Sequence, residues 1–237
     1  MSIKQFIKRN SGYFPELYFA LVKLKRMHDF KNEPHVKNLL TKETDIVIEG
    51  FPRSANTYAV VAFYMSQQTP KLVAHHYHAA GHVIKGIKFG KPVVVLIRKP
   101  EDAISSLCVR HPNISIERAI KDYVAFYKPL LKYKEKVVVA GFDEIRNDYS
   151  IVLQEVNSKF GTNFDIPIID DDFQDKCFRR IENRNKHKSG GKITETMIAR
   201  PSEKRNLLKD KIKKDIKNKK YRKRIEKAKE IYTKTIN

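Results

Sequence analysis

The sequence DIVIEGFPRSANTYAVVAFY, residues 45–64, is typical of a β-strand, a tight loop and an α-helix in succession. Its first residues supply β-branched side chains, Gly50 and Pro52 interrupt the extended run, and apolar residues compatible with a helix resume at Ala59. A loop of this kind directs backbone N–H groups to one point in front of a helix N-terminus. Such a point favours an anion such as phosphate or sulfate.

This loop departs from the common phosphate-loop pattern G-x-x-x-x-G-K-[ST]. Gly50 and Thr57 match its first and last positions, but Ala55 replaces the second glycine and Asn56 replaces the lysine. Because that lysine normally reaches the terminal phosphates of ATP or GTP, another group such as Arg53 must supply the positive charge. We therefore expect the loop to bind a different anion.

A second segment, KPVVVLIR at residues 91–98, predicts the buried central strand of a parallel sheet. Pro100 is placed to open the helix that follows it, and KVVVA at residues 136–140 predicts a further strand. Strands that alternate with helices predict a P-loop-like α/β fold of three layers, with a mostly parallel central sheet and helices on both faces. Ligands bind such sheets at the carboxyl ends of the strands.

The loops after these strands resemble two motifs of the sulfotransferases that use 3′-phosphoadenosine 5′-phosphosulfate (PAPS). FPRSANTY, residues 51–58, resembles the family's 5′-phosphosulfate loop. Its 3′-phosphate motif, an arginine at a strand end, then x-P-x-D and a later serine, is matched in type and spacing by Arg98, Pro100, Asp102 and Ser106. The resemblance covers residues 44–160 well and the rest weakly.

The resemblance implies an enzyme that moves a sulfuryl group from PAPS to an acceptor hydroxyl or amine without a metal. It implies that Arg98 and Ser106 bind the 3′-phosphate and that the first loop binds the 5′-phosphosulfate through Arg53, Ser54, Ala55, Asn56, Thr57 and Tyr58. Two looser matches follow. Lys188 and Gly190 stand where the family has a late loop on the 3′-phosphate, although a solvated loop is the alternative. Phe142 stands where the family has an aromatic near the adenine, although a core phenylalanine is equally compatible.

Four histidines lie close together in LVAHHYHAAGH, residues 72–82: His75, His76, His78 and His82. No Asp, Glu or Cys lies among them, so we predict no metal site. An imidazole at a strand end suits a general base, because its ordinary pKa of roughly 6.5 is close to neutrality. The family's catalytic histidine stands about where His76 does. We therefore rank His76 first, His78 second and His75 third as the base; in a strand, His76 and His78 would share one face.

Composition indicates one domain, residues 1–237, with a basic helical region over 200–237; the resemblance implies that its core is 44–160. The chain has 237 residues, of which 41% are apolar, and its two cysteines, Cys108 and Cys177, are too few for a disulfide framework. It has no apolar run of the ~20 residues that span a bilayer, so we expect a soluble protein. The two isolated cysteines suit a reducing compartment such as the cytoplasm. Its net charge is +21, of which +11 falls in residues 200–237. We expect one basic helix there, with an apolar stripe that covers an edge of the core.

Three further segments have helical patterns. Residues 1–30 predict two helices, the second starting at Pro15, that pack on the sheet; a membrane-surface role is the alternative. Residues 115–133 predict one long helix. Residues 178–183 predict a short helix, followed by a basic, glycine-rich loop.

Three other functions remain compatible with the sequence. A phosphate-loop kinase would use ATP and Mg²⁺, but residue 56 is not lysine. A nucleic-acid-binding protein would use the basic C-terminal region. A degenerate sulfotransferase would bind PAPS without turnover. For the leading hypothesis we expect a small-molecule, lipid or carbohydrate acceptor and no specific nucleic acid.

Overall fold

The structure, a computed structural model, describes residues 3–29, 38–191, 200 and 202–237. At its centre is a sheet of four parallel strands in the order β2-β1-β3-β4. The strands are β1 (Ile46–Gly50), β2 (Val73–His75), β3 (Val93–Ile97) and β4 (Val138–Gly141). The predicted parallel α/β sheet is therefore confirmed.

Helices connect and cover these strands. They are α1 (Ile3–Asn10), α2 (Pro15–Asp29), α3 (Asn56–Ser66), α4 (Ala80–Lys88), α5 (Pro100–Arg110), α6 (Ile116–Tyr127), a 3₁₀ helix (Lys128–Lys136), α7 (Phe142–Asn147), α8 (Tyr149–Phe160), α9 (Asp171–Lys188), α10 (Glu203–Ile216) and α11 (Arg222–Ile236). The described helices are too short or too polar to cross a membrane.

The sheet has an apolar core on each face, which gives the predicted three layers. Because side chains alternate along a strand, Val47 and Val95 point to one face and Ile48 and Leu96 to the other. Helices α2, α4, α5, α6 and α11 contribute to the first core. Helices α3, α8 and α9 contribute to the second.

The register aligns the carboxyl ends of the strands at one edge of the sheet. Gly50, the last residue of β1, pairs with Leu96, and Ile97 pairs with Gly141. On the other side of β1, Ile48 pairs with His75, the last residue of β2. The loops that leave these strands therefore meet at the same edge, where open α/β sheets bind ligands.

Two helix predictions were wrong in extent. The helix predicted over 115–133 ends at Tyr127 and continues as a 3₁₀ helix, since Pro129 has no N–H for an α-helical hydrogen bond. The short helix predicted over 178–183 is part of the 18-residue α9. The side chain of Asp170 caps α9 by accepting a hydrogen bond of 2.7 Å from the Phe173 N–H.

The C-terminal region forms two helices rather than the predicted single one. Residues 217–221 form a turn in which the Asn218 side chain accepts a hydrogen bond from the Lys220 N–H at 3.1 Å. Such bonds make asparagine a turn residue. Both helices reach the core, through Ile216 of α10 and Ile225 of α11, so the predicted apolar stripe does cover its edge.

Candidate active site

Two residues of the first loop have a backbone conformation that favours glycine. Arg53 and Ala55 have φ of 74° and 64°, in the left-handed region that L-residues rarely adopt. Ala55 stands where the common pattern has its second glycine, and its positive φ is one that glycine adopts more readily than alanine. Helix α3 begins at the next residue, Asn56, which places its N-terminus against the loop.

One buried hydroxyl group fastens this loop to the sheet. Tyr127 is fully buried, and its hydroxyl donates a hydrogen bond to the Leu96 carbonyl of β3 at 2.7 Å. The same oxygen accepts from the Phe51 N–H at 3.2 Å and lies 3.4 Å from Ser54 Oγ. Tyr127 therefore positions the loop. No sequence signal pointed to it, because it lies more than 70 residues away at the end of α6.

The two predicted anion-binding motifs meet side by side. The Arg53 Nε–H donates to Ser106 Oγ at 3.0 Å, and the Arg98 guanidinium donates to the Arg53 carbonyl at 3.2 Å. Arg98 is held in turn by Tyr123, whose hydroxyl donates to the Arg98 carbonyl at 2.8 Å. Residues predicted separately from two loops thus form one hydrogen-bonded group.

Aromatic rings line the same site. The Arg98 guanidinium lies 3.8 Å from the centre of the Phe142 ring, and Phe142 is a cavity residue that is partly exposed. Arg146 lies over the rings of Tyr58 and Phe178, at 5.8 and 5.0 Å. A guanidinium over a ring is stabilised by the ring's quadrupole and presents its edge to a ligand.

A buried carboxylate holds the loop of residues 76–79, which carries His76 and His78. Glu49 of β1 is fully buried and accepts hydrogen bonds from the N–H groups of Tyr77 and His78, at 2.7 and 2.9 Å. It also accepts from His82 Nδ1 at 2.9 Å, because His82 Nε2 accepts from the Leu40 N–H and so leaves the ring proton on Nδ1. Burial raises the pKa of Glu49, but the His82 hydrogen bond and the neighbouring histidines outweigh it, so that the pKa lies below its ordinary value.

This loop brings two of the three candidate bases to the cavity. Strand β2 ends at His75, and His76 and His78 have φ of 64° and 49°. Both line the cavity because of these left-handed turns and not, as predicted, because they share a strand face. His75 is buried, which lowers its pKa to about 4.

The hydrogen bonds of the two cavity histidines differ. His76 Nε2 lies 3.1 Å from Thr57 Oγ1, and its Nδ1 lies 2.5 Å from His75 Nδ1. His78 Nδ1 donates to the Gly50 carbonyl at 2.7 Å, which leaves the lone pair on Nε2 in the neutral ring. Burial lowers the pKa of His78, so the neutral form prevails at pH 7.

The loops described above line one cavity of about 700 Å³, which is strongly basic. Its described lining includes seven arginine or lysine side chains and one carboxylate, Asp143. The cations are Arg53, Arg98, Arg110, Arg146, Arg200, Arg205 and Lys209. All four described non-glycine residues with positive φ also line it. Concentrated charge of one sign and backbone strain are both typical of binding sites.

Helices α5 and α10 bring matching rows of side chains together. Asp102, Ser106 and Arg110 stand four residues apart on α5 and so share a face. Arg205, Lys209 and Lys213 do the same on α10. The Lys213 ammonium lies 2.5 Å from an oxygen of Asp102, and Arg205 lies near enough to Arg110 to lower its pKa. The two helices therefore run in opposite directions along this contact.

At the other end of the contact between α5 and α10, arginine side chains lie close together. Burial and Arg205 lower the pKa of Arg110. Burial, then Arg110, Arg98 and Arg205, lower the pKa of Arg53 to about 10. An anion placed among these cations would relieve their repulsion. Arg110 follows Ser106 by one helical turn, a spacing that the sequence analysis overlooked.

The other predicted site residues are placed as follows. Asn56, Thr57 and Tyr58 open α3 and line the cavity. Ser54 is buried beneath the loop. Lys188 is the last residue of α9, and its side chain is outside the described part. Gly190 lines a separate hollow with Lys186 and His187.

Comparison with solved structures gives a weak likeness. The chain is similar in structure to a mouse sulfotransferase, SULT7A1, complexed with PAP, at 11% identity and a TM-score of 0.43, over 80% of this chain and 91% of that chain. No protein-family model matches the chain, and no curated protein matches it. A likeness of this degree identifies neither a family nor an activity.

Proposed function

We propose that this protein is a sulfotransferase that moves a sulfuryl group from PAPS to an acceptor hydroxyl or amine. The observation that carries the proposal is the hydrogen bond from Arg53 to Ser106, which joins the two anion-type loops in one basic cavity at the carboxyl edge of the sheet. A nucleotide with phosphate groups at both its 5′ and 3′ positions needs two anion sites of this kind, side by side.

The cavity has the side chains that this nucleotide requires. The N-terminus of α3, the loop amides and Arg53 would hold the 5′-phosphosulfate. Arg98 and Ser106 would hold the 3′-phosphate. Arg205 and Lys209 of α10 face Ser106 and Arg110 across the helix contact, so we assign to them the part that the sequence analysis gave to Lys188 and Gly190. Phe142 is available to contact the adenine.

PAPS would supply the activated sulfuryl group, and the residues of this chain would orient it and accept a proton. As the acceptor oxygen or nitrogen bonds to sulfur and the bond to the bisphosphate breaks, the acceptor's proton passes to a histidine. We assign this role to His76, whose Nε2 is next to Thr57 of the anion loop. His78 Nε2 is the second candidate. The cavity cations would stabilise the charge left on the bisphosphate.

A thermal-shift experiment tests the nucleotide assignment. Adenosine 3′,5′-bisphosphate at about 100 times its Kd should add roughly 2.7 kcal/mol to stability, or about 5 to 10 °C in Tm. ATP with Mg²⁺ is the matched comparison. A shift with ATP and Mg²⁺ alone would replace the proposal by a kinase, and no shift with either nucleotide would refute both.

Substitutions then test the individual residues by calorimetry. Arg98→Ala and Arg205→Met should each weaken bisphosphate binding about 10- to 150-fold, since each removes a hydrogen bond to a charged group. Lys211→Ala, an exposed cation of α10 outside the described cavity lining, is the control and should have no such effect. Unchanged affinity in Arg205→Met would remove α10 from the site without affecting the loops.

The base is tested by turnover with ³⁵S-labelled PAPS and a panel of hydroxyl and amine acceptors. His76→Ala should lower the rate by about 10²- to 10⁴-fold, the usual contribution of a general base, with bisphosphate affinity nearly intact. Full activity in His76→Ala together with its loss in His78→Ala would transfer the role to His78.

A further inference from the structure

Exposed apolar side chains are concentrated at the start of the chain. The described residues include fifteen large apolar side chains that are exposed, and six of them lie between Ile3 and Leu24. These six are Ile3, Phe6, Tyr13, Phe14, Leu17 and Leu24, and each is more than half exposed. Single exposed apolar residues are ordinary, whereas a concentration of them marks a surface that contacts something else.

Helix α2 is apolar on two opposite faces. Tyr18 and Phe19 are buried in the core, so one face is accounted for by packing within the domain. Leu17 and Leu24 stand seven residues apart and so share a second face, and Phe14 directly precedes α2, three residues before Leu17; all three are 58 to 63% exposed. Packing on the sheet requires only the first face, so the second needs another explanation.

Two exposed lysines flank Leu24 on this second face, and the helices that carry it have a net positive charge. Residues 3–29 contain six lysines or arginines and two acidic residues. One of these acids, Glu16, forms ion pairs with Lys85 and Lys88 of α4, which offset its charge. Lys23 and Lys25 are exposed next to Leu24. Lysines beside exposed leucine and phenylalanine are typical of helices that lie in a membrane interface.

We propose that α1 and α2 dock this protein on an anionic lipid surface, with Phe14, Leu17 and Leu24 inserted among the lipids and the neighbouring lysines on their headgroups. The described helices cannot span a bilayer, so the association is peripheral. Charge argues against a second copy of the chain as the occupant, because two like faces of a protein with net charge +21 would repel each other. The sulfotransferase proposal is not required for this one.

Sedimentation with lipid vesicles tests the proposal on the full chain. We expect binding to vesicles of phosphatidylcholine with about one third phosphatidylglycerol, little binding to pure phosphatidylcholine, and release as NaCl is raised towards 1 M, where the Debye length falls to about 3 Å. Leu17→Ser with Leu24→Ser should weaken binding at least about tenfold, since two apolar side chains no longer insert.

A second basic helix offers a matched control. Leu207 and Leu208 of α10 are also exposed beside lysines, so Leu207→Ser with Leu208→Ser removes the same two side chains from a rival surface. This control should bind vesicles as the unmodified protein does, with circular dichroism showing that both variants are folded. The proposal is overturned if vesicles do not bind, if only the α10 variant loses binding, or if ultracentrifugation shows a dimer that Leu17→Ser with Leu24→Ser dissociates.

Discussion

Replacing Glu49 by glutamine should destabilise the protein far more than a change of one atom suggests. In the structure the carboxylate accepts three hydrogen bonds, from the N–H groups of Tyr77 and His78 and from His82 Nδ1, with no exposure to water. A glutamine side chain has one acceptor oxygen, and its NH₂ group would face one of these donors. That donor would lose its partner and meet a second N–H group.

The cost follows from the number of bonds. An unsatisfied buried N–H costs about 1–3 kcal/mol, and the remaining bonds lose the extra strength that a charged acceptor gives. We therefore expect Glu49→Gln to lower the free energy of unfolding by about 3 kcal/mol. For a domain of this size the corresponding change in Tm is about 6 to 12 °C.

The measurement is urea unfolding of the unmodified protein and the variant, followed by circular dichroism. Asp45→Asn is the matched control, because Asp45 also accepts a backbone N–H bond, from Leu72 at 2.6 Å, but at an exposed position. It should cost less than about 1 kcal/mol, because water can replace the bond. A Glu49→Gln cost as small as that of the control would refute the assigned hydrogen bonds.

The pH dependence gives an independent check on Glu49. Because its folded pKa lies below the ordinary value of 4.5, the carboxylate stabilises the fold fully above that pH. This contribution is lost as the pH falls through the folded pKa. The stability difference between Glu49→Gln and the unmodified protein should therefore be constant near neutrality and shrink below pH 4.5.

Two further predictions concern the loop and the strand that carries it. Tyr127→Phe keeps the buried ring but leaves the Phe51 N–H without its acceptor, so it should cost about 1–3 kcal/mol in urea unfolding, and a cost near zero would remove Tyr127 as a positioning residue. Gly50→Ala would place a Cβ against the Leu96 carbonyl oxygen and 2.8 Å from the Leu96 Cβ; we expect a clear fall in Tm, whereas alanine at Gly90, where a Cβ would meet nothing within 4 Å, should cost only the strain of its positive φ.

The sheet could be predicted from the sequence because its signals are local. Residues 46–48 and 93–97 are apolar runs. Gly50 and Pro52 follow the first closely, Pro92 precedes the second, and Pro100 opens the helix after it. Once the strands are parallel, their carboxyl ends lie at one edge, and this alone brings the loops of Arg53 and Arg98 together. The sequence thus predicted which loops meet at the cavity, whereas most of the lining residues that α5, α7, α9 and α10 contribute were not predicted.

The details that it missed depend on contacts between distant segments. The hydrogen bond between the Phe51 N–H and Tyr127 joins residues 76 positions apart in the sequence. The role of Glu49 becomes visible only when β1 and the loop after β2 are adjacent. The left-handed conformations of His76 and His78 follow from these bonds, so a strand periodicity could not describe them.

Helix boundaries failed for a related reason. The glycines suggested a loop from residue 184, but α9 continues to Lys188. At its other end, the Asp170 cap and the ion pair from Asp172 to Lys176 start the helix at Asp171, seven residues before the predicted beginning. In the C-terminal region a continuous run of lysines concealed the turn at Asn218. Cap and turn side chains, rather than composition, set these limits.

The parallel sheet also determines when the chain can fold during synthesis. Parallel neighbours need a crossover, so no strand pair in it forms from a hairpin. Val47 of β1 pairs with Val93 of β3, about 46 residues later in the chain. Synthesis adds about 5–20 residues per second, so roughly 2 to 9 seconds pass between the synthesis of Val47 and that of its partner Val93. The strand that carries the anion loop is therefore synthesised early, but its hydrogen bonds to β3 cannot form until β3 has left the ribosome.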